Sequence, residues 1–384
     1  MSEWKRVELK ELIREINERN KGEKVKRVLS ITNSRGFVSQ DEYFEGAVHS
    51  ANISNYKIIR KNQFAYNPSR VNVGSIDILK DYECGALSPM YVIFEVDETK
   101  LLPEYFKYYF QTHRFFENVK NNTQGSVRNS LSFKALADFN YLLPPIEEQE
   151  KIVKILNNID NVINKYKKIN NEIDKEKTAI FNNLLKNERF MKKKVKDVAN
   201  IYLGLTHKPR YIEDGVKFLS SQNISGGYLD LDNVKYISQD EFHRASDTIK
   251  PKRGDVLFSR VGSNLGNPVI VDTDVKFGIY VSLGYLRAKK GTNNRYLKQW
   301  INSKEFYNQV RTKVSGGAKN NINTGWLKEF IITMPQENEQ EIVANLLDKL
   351  DEKRTLINNY IEQYDTLKKG LMQKLLTGKV RVKI

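Results

Sequence analysis

One stretch occurs twice in this chain, and any fold has to accommodate both copies. The first opens Pro144-Pro145-Ile146-Glu147-Glu148-Gln149 and runs to Leu185 with no Gly or Pro after Pro145. Apolar residues fall at Ile152, Leu156, Ile159, Ile163, Tyr166, Ile169, Ile173, Ile180 and Leu184, in steps that are mostly three or four. That period keeps the stripe on one side of a helix, where it can lie along a partner. The other face is Lys, Asn, Asp and Glu and belongs in water. Forty residues, Ile146 to Leu185, make a rod of ~60 Å. The second copy opens Pro335-Gln336-Glu337-Asn338-Glu339-Gln340 and ends near Leu376. Its stripe is Val343, Leu346, Leu347, Leu350, Ile357, Ile361, Tyr364, Leu371 and Leu375. Two such helices can satisfy each other as a two-stranded coiled coil. The alternative, separate packing on two domains, fits poorly with helices far longer than the usual three turns.

The offset is constant and reaches well beyond the helices. Glu148-Gln149 meets Glu339-Gln340 at 191 (339 − 148), and so do Asp160 with Asp351 and Leu184-Leu185 with Leu375-Leu376. Upstream, Tyr105-Phe106-Lys107 meets Tyr296-Leu297-Lys298, Phe115-Phe116 meets Phe306-Tyr307, and Leu136 and Phe139 meet Leu327 and Phe330. A long internal repeat governs everything else about a fold. The chain is a tandem of two equivalent halves, each a globular part followed by a long helix. Helices are expected at Pro103–Lys120 and Asn294–Lys313, their aromatics in the core. Short amphipathic helices are expected at Val7–Leu12 and Val195–Val198. Between about 20–95 and 205–290 the pattern turns to short β-branched and aromatic runs with turn signals, such as Tyr91–Phe94, Val256–Phe258 and Val269–Val271. Here the halves diverge. Lys192-Lys193-Lys194 marks the boundary between them, as a solvated linker or, second, a phosphate contact.

The 40% hydrophobic content of these 384 residues can fill real cores, and the net charge of +16 points to a polyanion as partner, most simply nucleic acid. The single cysteine, Cys84, excludes a disulfide framework and fits a reducing compartment. The N-terminus has no apolar signal segment, and no run approaches eighteen apolar residues, so the expectation is a soluble cytoplasmic protein without a membrane span.

No catalytic site declares itself. Tyr66-Asn67-Pro68-Ser69-Arg70 matches only half of the Asn-Pro-Pro-Tyr box of amino-methyltransferases, and no glycine-rich nucleotide loop opens a βα unit. Glu98-Thr99-Lys100 has the spacing of a nuclease acid and lysine, but the second half has Lys289-Lys290-Gly291 near the equivalent place. His49, His113, His207 and His243 show no ligand spacing. What recurs is a binding signature. Gly125-Ser126-Val127-Arg128-Asn129-Ser130-Leu131-Ser132 precedes a helix at Phe133–Phe139, and Gly316-Gly317-Ala318-Lys319-Asn320-Asn321-Ile322-Asn323-Thr324 precedes one at Trp326–Phe330. Each has a glycine turn, one cation, small polar residues and a Ser or Thr suited to cap the helix. Ser126, Arg128, Asn129, Lys319, Asn320 and Asn321 are therefore candidate phosphate contacts; an ordinary capped loop is the alternative. A second pair of loops, Asn67-Pro68-Ser69-Arg70-Val71-Asn72 and Ser259-Arg260-Val261-Gly262-Ser263-Asn264, follows strand candidates. Asn67, Ser69, Arg70, Asn72, Arg260, Ser263 and Asn264 are candidate DNA contacts, since Arg and Asn match guanine and adenine edges; plain surface turns share this composition.

Taken with the tandem Pro-x-x-x-Glu-Gln helices, the ordered set of motifs resembles the DNA-specificity subunit of type I restriction–modification systems over essentially the whole chain. The Gly125-Ser126 loop, Gly254–Ser259 and the final Leu375-Leu376-Thr377-Gly378 are also similar to that family, while Asn62-Gln63-Phe64-Ala65-Tyr66 departs from its Gly-Asp run. The resemblance implies an α+β protein: two tandem α/β target recognition domains, 1–143 and 188–334, separated by long helices at 144–187 and 335–384 that form an antiparallel coiled coil. It implies that each domain reads one part of a bipartite, asymmetric site on double-stranded DNA. It implies two copies of a methyltransferase subunit on the helices and a restriction subunit in the complex. S-adenosylmethionine, ATP and Mg²⁺ belong to those partners, and this chain is expected to hold no cofactor and to catalyse nothing itself. The alternative is an enzyme, a fused DNA methyltransferase or nuclease of a related restriction system.

Overall fold

The computed structural model describes residues 3–33, 35–43, 52–123, 130–262, 265–314 and 321–383. The chain forms two compact units, Met1–Lys165 with Ile361–Ile384, and Tyr166–Tyr360. The long helices span Ile146–Lys186 and Glu337–Leu375, so each begins in one unit and ends in the other.

Each unit is built on a four-stranded antiparallel sheet. In the first unit the strands lie in the order Ile13–Ile16, Val92–Val96, Phe64–Tyr66, Ile76–Ile78. In the second the order is Ala199–Leu203, Leu283–Ala288, Val256–Ser259, Gly266–Ile270. The order is the same, so the halves share a frame even where their sequences diverge. The reason lies in the paired positions. Asp255 takes the Lys252 N–H at 2.7 Å and a bidentate contact from Arg287 at 2.8 and 2.7 Å. At the matching place Gln63 takes the Arg60 N–H at 2.9 Å and donates to Glu95 at 3.1 Å. Asn62, with φ of 69°, supplies the left-handed turn that Gly254 supplies at 90°. Different side chains thus make one set of contacts, and the Asn62-Gln63 departure from the Gly-Asp run is a substitution of partners.

The first expected entry helix is shorter than its pattern, whereas the second, Val195–Val198, has the bounds expected of it. Lys5–Glu8 is a strand paired with Asn140–Leu143, and only Leu9–Glu11 turns as a 3-10 helix. Met191–Lys194 pairs with Ile331–Met334, followed by the single turn Val195–Val198. The lysine run is therefore a strand and not a linker. Lys194 and Lys196 both reach Glu329, at 2.6 and 2.7 Å.

The stretch expected as one helix from Pro103 is two, Pro103–Tyr109 and His113–Thr123; its counterpart is Asn294–Ile301 and Lys304–Val314. A hydroxyl restarts the helix each time: Thr112 accepts the Phe115 N–H and Ser303 the Phe306 N–H, both at 3.3 Å. The aromatics do form the core. Phe64, Phe94, Phe106 and Phe115 are fully buried in the first unit, and Trp300 and Phe306 in the second.

The long helices run antiparallel where they pair. In the second unit Tyr166 stacks on Tyr360 with ring centroids 5.6 Å apart, Asn170 meets Asn358 at 2.8 Å, and Asp174 meets Arg354 at 2.7 Å. Three residues further on, Lys177 meets Asp351 at 2.5 Å. In the first unit Asp160 meets Lys368 at 2.7 Å. Most of the apolar stripe is buried, from Ile152, Leu156 and Ile163 to Leu347, Ile357 and Leu375. Ile169 and Leu346 instead face outward, 37% and 45% exposed.

The Glu-Gln pair that opens each long helix has a structural cause. Gln149 accepts the Leu102 N–H at 2.8 Å and donates to the carbonyls of Lys100 and Pro144 at 2.8 and 2.9 Å. Gln340 accepts the Asn293 N–H at 2.8 Å and donates to Gly291 and Pro335 at 3.1 and 2.9 Å. Every partner keeps the 191 offset (293 − 102, 291 − 100, 335 − 144). One buried amide thus fixes the long helix to the start of the aromatic helix. Glu148 is not duplicated in role. Its buried carboxylate takes Arg381 at 2.8 and 2.7 Å, the Trp4 indole N–H at 2.8 Å and the Val382 N–H at 3.1 Å. Arg381 chiefly, with Trp4 and Val382, holds that carboxyl below its usual range against desolvation.

Candidate nucleic-acid interface

In each unit the two loops singled out by composition are joined. In the first, the Leu131 N–H donates to the Pro68 carbonyl at 3.0 Å; in the second, the Ile322 N–H donates to Arg260 O at 2.8 Å. A bridge between Val261 and Asn321 extends the second contact. Leu131 and Ile322, which follow the glycine motifs, thus lie against the strand-following loops, although more than sixty positions separate them in sequence, as with Pro68 and Leu131 (131 − 68 = 63).

The first of these loops is a rigid turn. Asn67 is buried and its side chain accepts the Ser69 N–H at 3.0 Å, so it shapes the turn from within. The chain then makes a 3-10 turn at Val71–Val73 and closes at Gly74, whose φ of 91° is left-handed. Ser69, Arg70 and Asn72 are exposed. Among the described residues Arg70 makes no side-chain hydrogen bond or ion pair. Ser75 donates to Ile31 O at 3.2 Å and ties the hairpin of Leu29–Thr32 and Gly36–Ser39 to this turn. The exposed Arg35 at the hairpin tip therefore belongs to the same surface. Composition had not singled it out, although Arg35-Gly36 between two β runs was the available signal.

The second unit is arranged differently. Arg260 stands where the first unit has Pro68 and is only 7% exposed. Its guanidinium donates to Ile322 O at 3.0 Å and Val281 O at 2.9 Å, with Asn321 Oδ1 at 3.5 Å. This geometry turns Arg260 inward, away from the base edges expected of it, because its fork fits two carbonyls within its own unit. Arg70 and Arg260 are not counterparts. A further turn, Ser221–Ile224, converges here: the Ser221 N–H donates to Ser282 Oγ at 3.1 Å, and the Arg260 N–H to Ser282 O at 2.9 Å. Buried Asn223 braces it through Ser220 and Asn233, leaving Gln222 exposed. Sequence reasoning missed this turn, since its Ser-Gln-Asn run carries no charge.

Ser126, Arg128, Asn129, Ser263, Asn264, Lys319 and Asn320 lie outside the described residues. The helix caps that follow are defined. Ser132 accepts the Ala135 N–H at 3.2 Å, as expected. In the second unit Asn323, not Thr324, is the cap, accepting the Gly325 N–H at 2.7 Å. Among the described residues no group of three or more His, Cys, Asp or Glu could hold a metal ion, and no helix is long and apolar enough to cross a membrane.

The duplicated frame, the paired loops and the two antiparallel helices define a tandem recognition protein. Residues 1–175 and 187–364 match the type I restriction modification DNA specificity domain, and the chain belongs to that family. It is similar to the type I restriction enzyme MjaVIII specificity subunit of Methanocaldococcus jannaschii, 25% identical over 69% of this chain and 68% of the relative. It is also similar to the putative MjaX specificity subunit of the same organism, 23% identical over 99% of this chain and 94% of the relative. The EcoBI specificity subunit of Escherichia coli is 21% identical over 74% of this chain and 67% of the relative. In fold the chain is similar to the crystallised type I S subunit from M. genitalium, with a TM-score of 0.54 at 13% identity, covering 97% of this chain and 96% of that one. A chain from a structure of type I R-M complex assembly and conformational transition gives a TM-score of 0.54 at 15% identity, covering 99% of each. The protein is thus a non-catalytic specificity subunit of the type I class.

Proposed function

We propose that this subunit reads a bipartite, asymmetric site on double-stranded DNA, one block per unit, within a cytoplasmic restriction–modification complex. The observation that carries this reading is the repeated junction of two polar loops, Pro68 to Leu131 and Arg260 to Ile322. A shared frame with unlike loop residues is what two independent readers need. The net charge of +16 supplies the sequence-independent attraction to phosphate. Ser69, Arg70 and Asn72 are the base-contacting candidates of the first unit; Arg128 and Lys319 are phosphate contacts.

Two methyltransferase subunits are proposed to dock on the paired helices, joined by a restriction subunit. Support comes from an apolar stripe on the outer face of the C-terminal helix, where Ile342, Leu346 and Leu356 are 65%, 45% and 52% exposed at helical spacing. Exchange of residues 1–143 for those of a relative with another specificity tests the reading by methylome sequencing. One block of the methylated site changes and the other persists; a change in both blocks removes the modular reading.

A further inference from the structure

We propose that Arg260 is a positioning residue that also supplies the buried counter-charge for a DNA backbone phosphate over the second unit's loops. The proposal rests on the DNA-binding reading above and deepens it.

The argument starts from an unbalanced charge. Arg260 is 7% exposed, and no carboxylate of the described residues pairs with it. The sequence that follows Arg260, 261–264, and the sequence that precedes Ile322, 315–321, contain no Asp or Glu. An arginine stays protonated in proteins, so this guanidinium is a buried cation without an anion. Burial alone lowers its pKa, with no acid to raise it again. The chain makes comparable arginines differently. Arg287 has Asp255, and Arg381 has Glu148, each in a bidentate pair.

Carbonyl contacts orient Arg260 without neutralising it. Ile322 O and Val281 O take two of its five N–H groups at good distance, and Asn321 sits at the limit, 3.5 Å. Its backbone carbonyl meanwhile accepts the Ile322 N–H at 2.8 Å. Main chain and side chain together fasten the segment that leads to the Asn323 cap. The cost of an uncompensated buried charge is large, and an anion brought to this surface offsets it. The anion that a DNA-specificity subunit meets is phosphate. The first unit has Pro68 at this place and carries no such charge, so the device belongs to the second unit alone.

Binding of the full-length chain to a random-sequence duplex, measured by anisotropy across a KCl series, tests this. Arg260→Gln removes the charge and keeps a hydrogen-bonding group, whereas Arg260→Lys keeps the charge and loses the fork. The expected result is a salt slope smaller by about 0.9 for Arg260→Gln, so that affinity falls roughly three-fold less than in wild type between ~50 and ~200 mM salt. Arg260→Lys keeps the wild-type slope. An unchanged slope in folded Arg260→Gln protein overturns the proposal. Should that variant melt below the assay temperature, Arg260→Lys still decides, because a slope reduced by about one with the charge retained overturns it too. A wild-type chain that binds no duplex removes instead the DNA reading on which the proposal rests.

Discussion

Lys177 and Asp351 lie 2.5 Å apart, joining the two long helices in the second unit, and the identical pair recurs in the first with the helices exchanged. There Lys368 of the C-terminal helix meets Asp160 of the central helix at 2.7 Å, each residue 191 positions from its counterpart (368 − 177, 351 − 160). The acids are shared further. The Tyr108 hydroxyl lies 2.7 Å from Asn157 Oδ1 and 2.9 Å from Asp160 Oδ2, and Gln299 donates to Asp348 and Asp351 at 2.6 and 2.7 Å. The same pair of helical positions thus receives the aromatic helix in both units.

Because these lysines are 13% and 15% exposed, the pairs are more than surface decoration. Asp351→Ala should destabilise the protein by about 1–3 kcal/mol, since Lys177 and Gln299 both lose a partner. Denaturant titration of Asp351→Ala, Lys177→Met and the double variant checks it. The double variant should be less impaired than the two losses added; simple additivity removes the coupling.

Gln149 and Gln340 should be equivalent in energetic terms. Replacing either by Ala leaves a backbone N–H and two carbonyls without their partner, a loss of roughly 2–4 kcal/mol. Gln149→Glu should also fail, because a carboxylate cannot donate to the Lys100 and Pro144 carbonyls. Thermal melts showing a near-neutral Gln149→Glu change would contradict this account of the motif.

Glu305, in the first turn of its helix, has its carboxyl pushed up to about 7 by burial, partly opposed by Trp300, Lys192 and Thr333. A folded pKa above the unfolded value, 4.5, means that the stabilisation is complete below about 4.5 and lost as pH rises through about 7. Stability should therefore decline between about pH 4.5 and 7 more steeply in wild type than in Glu305→Gln. Parallel pH profiles for the two proteins would remove Glu305 as the source.

Arg70 should read sequence. Its exposed guanidinium stands on a turn braced by Asn67, so Arg70→Ala should cost ~1–3 kcal/mol on the cognate site with a smaller loss on random DNA. Equal losses on both, in competition binding, would make it a phosphate contact.

Helix length should set the spacer of the DNA site. Four residues inserted after Ile169 add ~6 Å at the helical rise, about two base pairs of duplex. The insertion keeps the stripe on nearly the same face, so the same two blocks are expected with a longer spacer once the second helix re-pairs. An unchanged spacer in an active, methylating complex would show that the helices do not measure the distance.

The sequence alone was enough for the duplication, the long helices and their stripes, because helical periodicity and a fixed offset are local or self-referring signals. It also placed the buried aromatics at 105–106 and 115 and their counterparts, since core positions repeat with the offset. Three things needed the tertiary structure. The Thr112 and Ser303 breaks followed from caps that only a packed neighbour makes preferable to one continuous helix. The common sheet order was hidden because Asp255 with Arg287 and Gln63 with Glu95 are different chemistries meeting the same geometric demand. The loops of the candidate interface were recognised one by one, yet their junction rests on contacts such as Pro68 to Leu131, whose sequence separation leaves no local trace. Arg260 is the sharpest case: composition marks an arginine in a polar turn, while its inward direction depends on carbonyls at Val281 and Ile322 that only the folded chain brings to it.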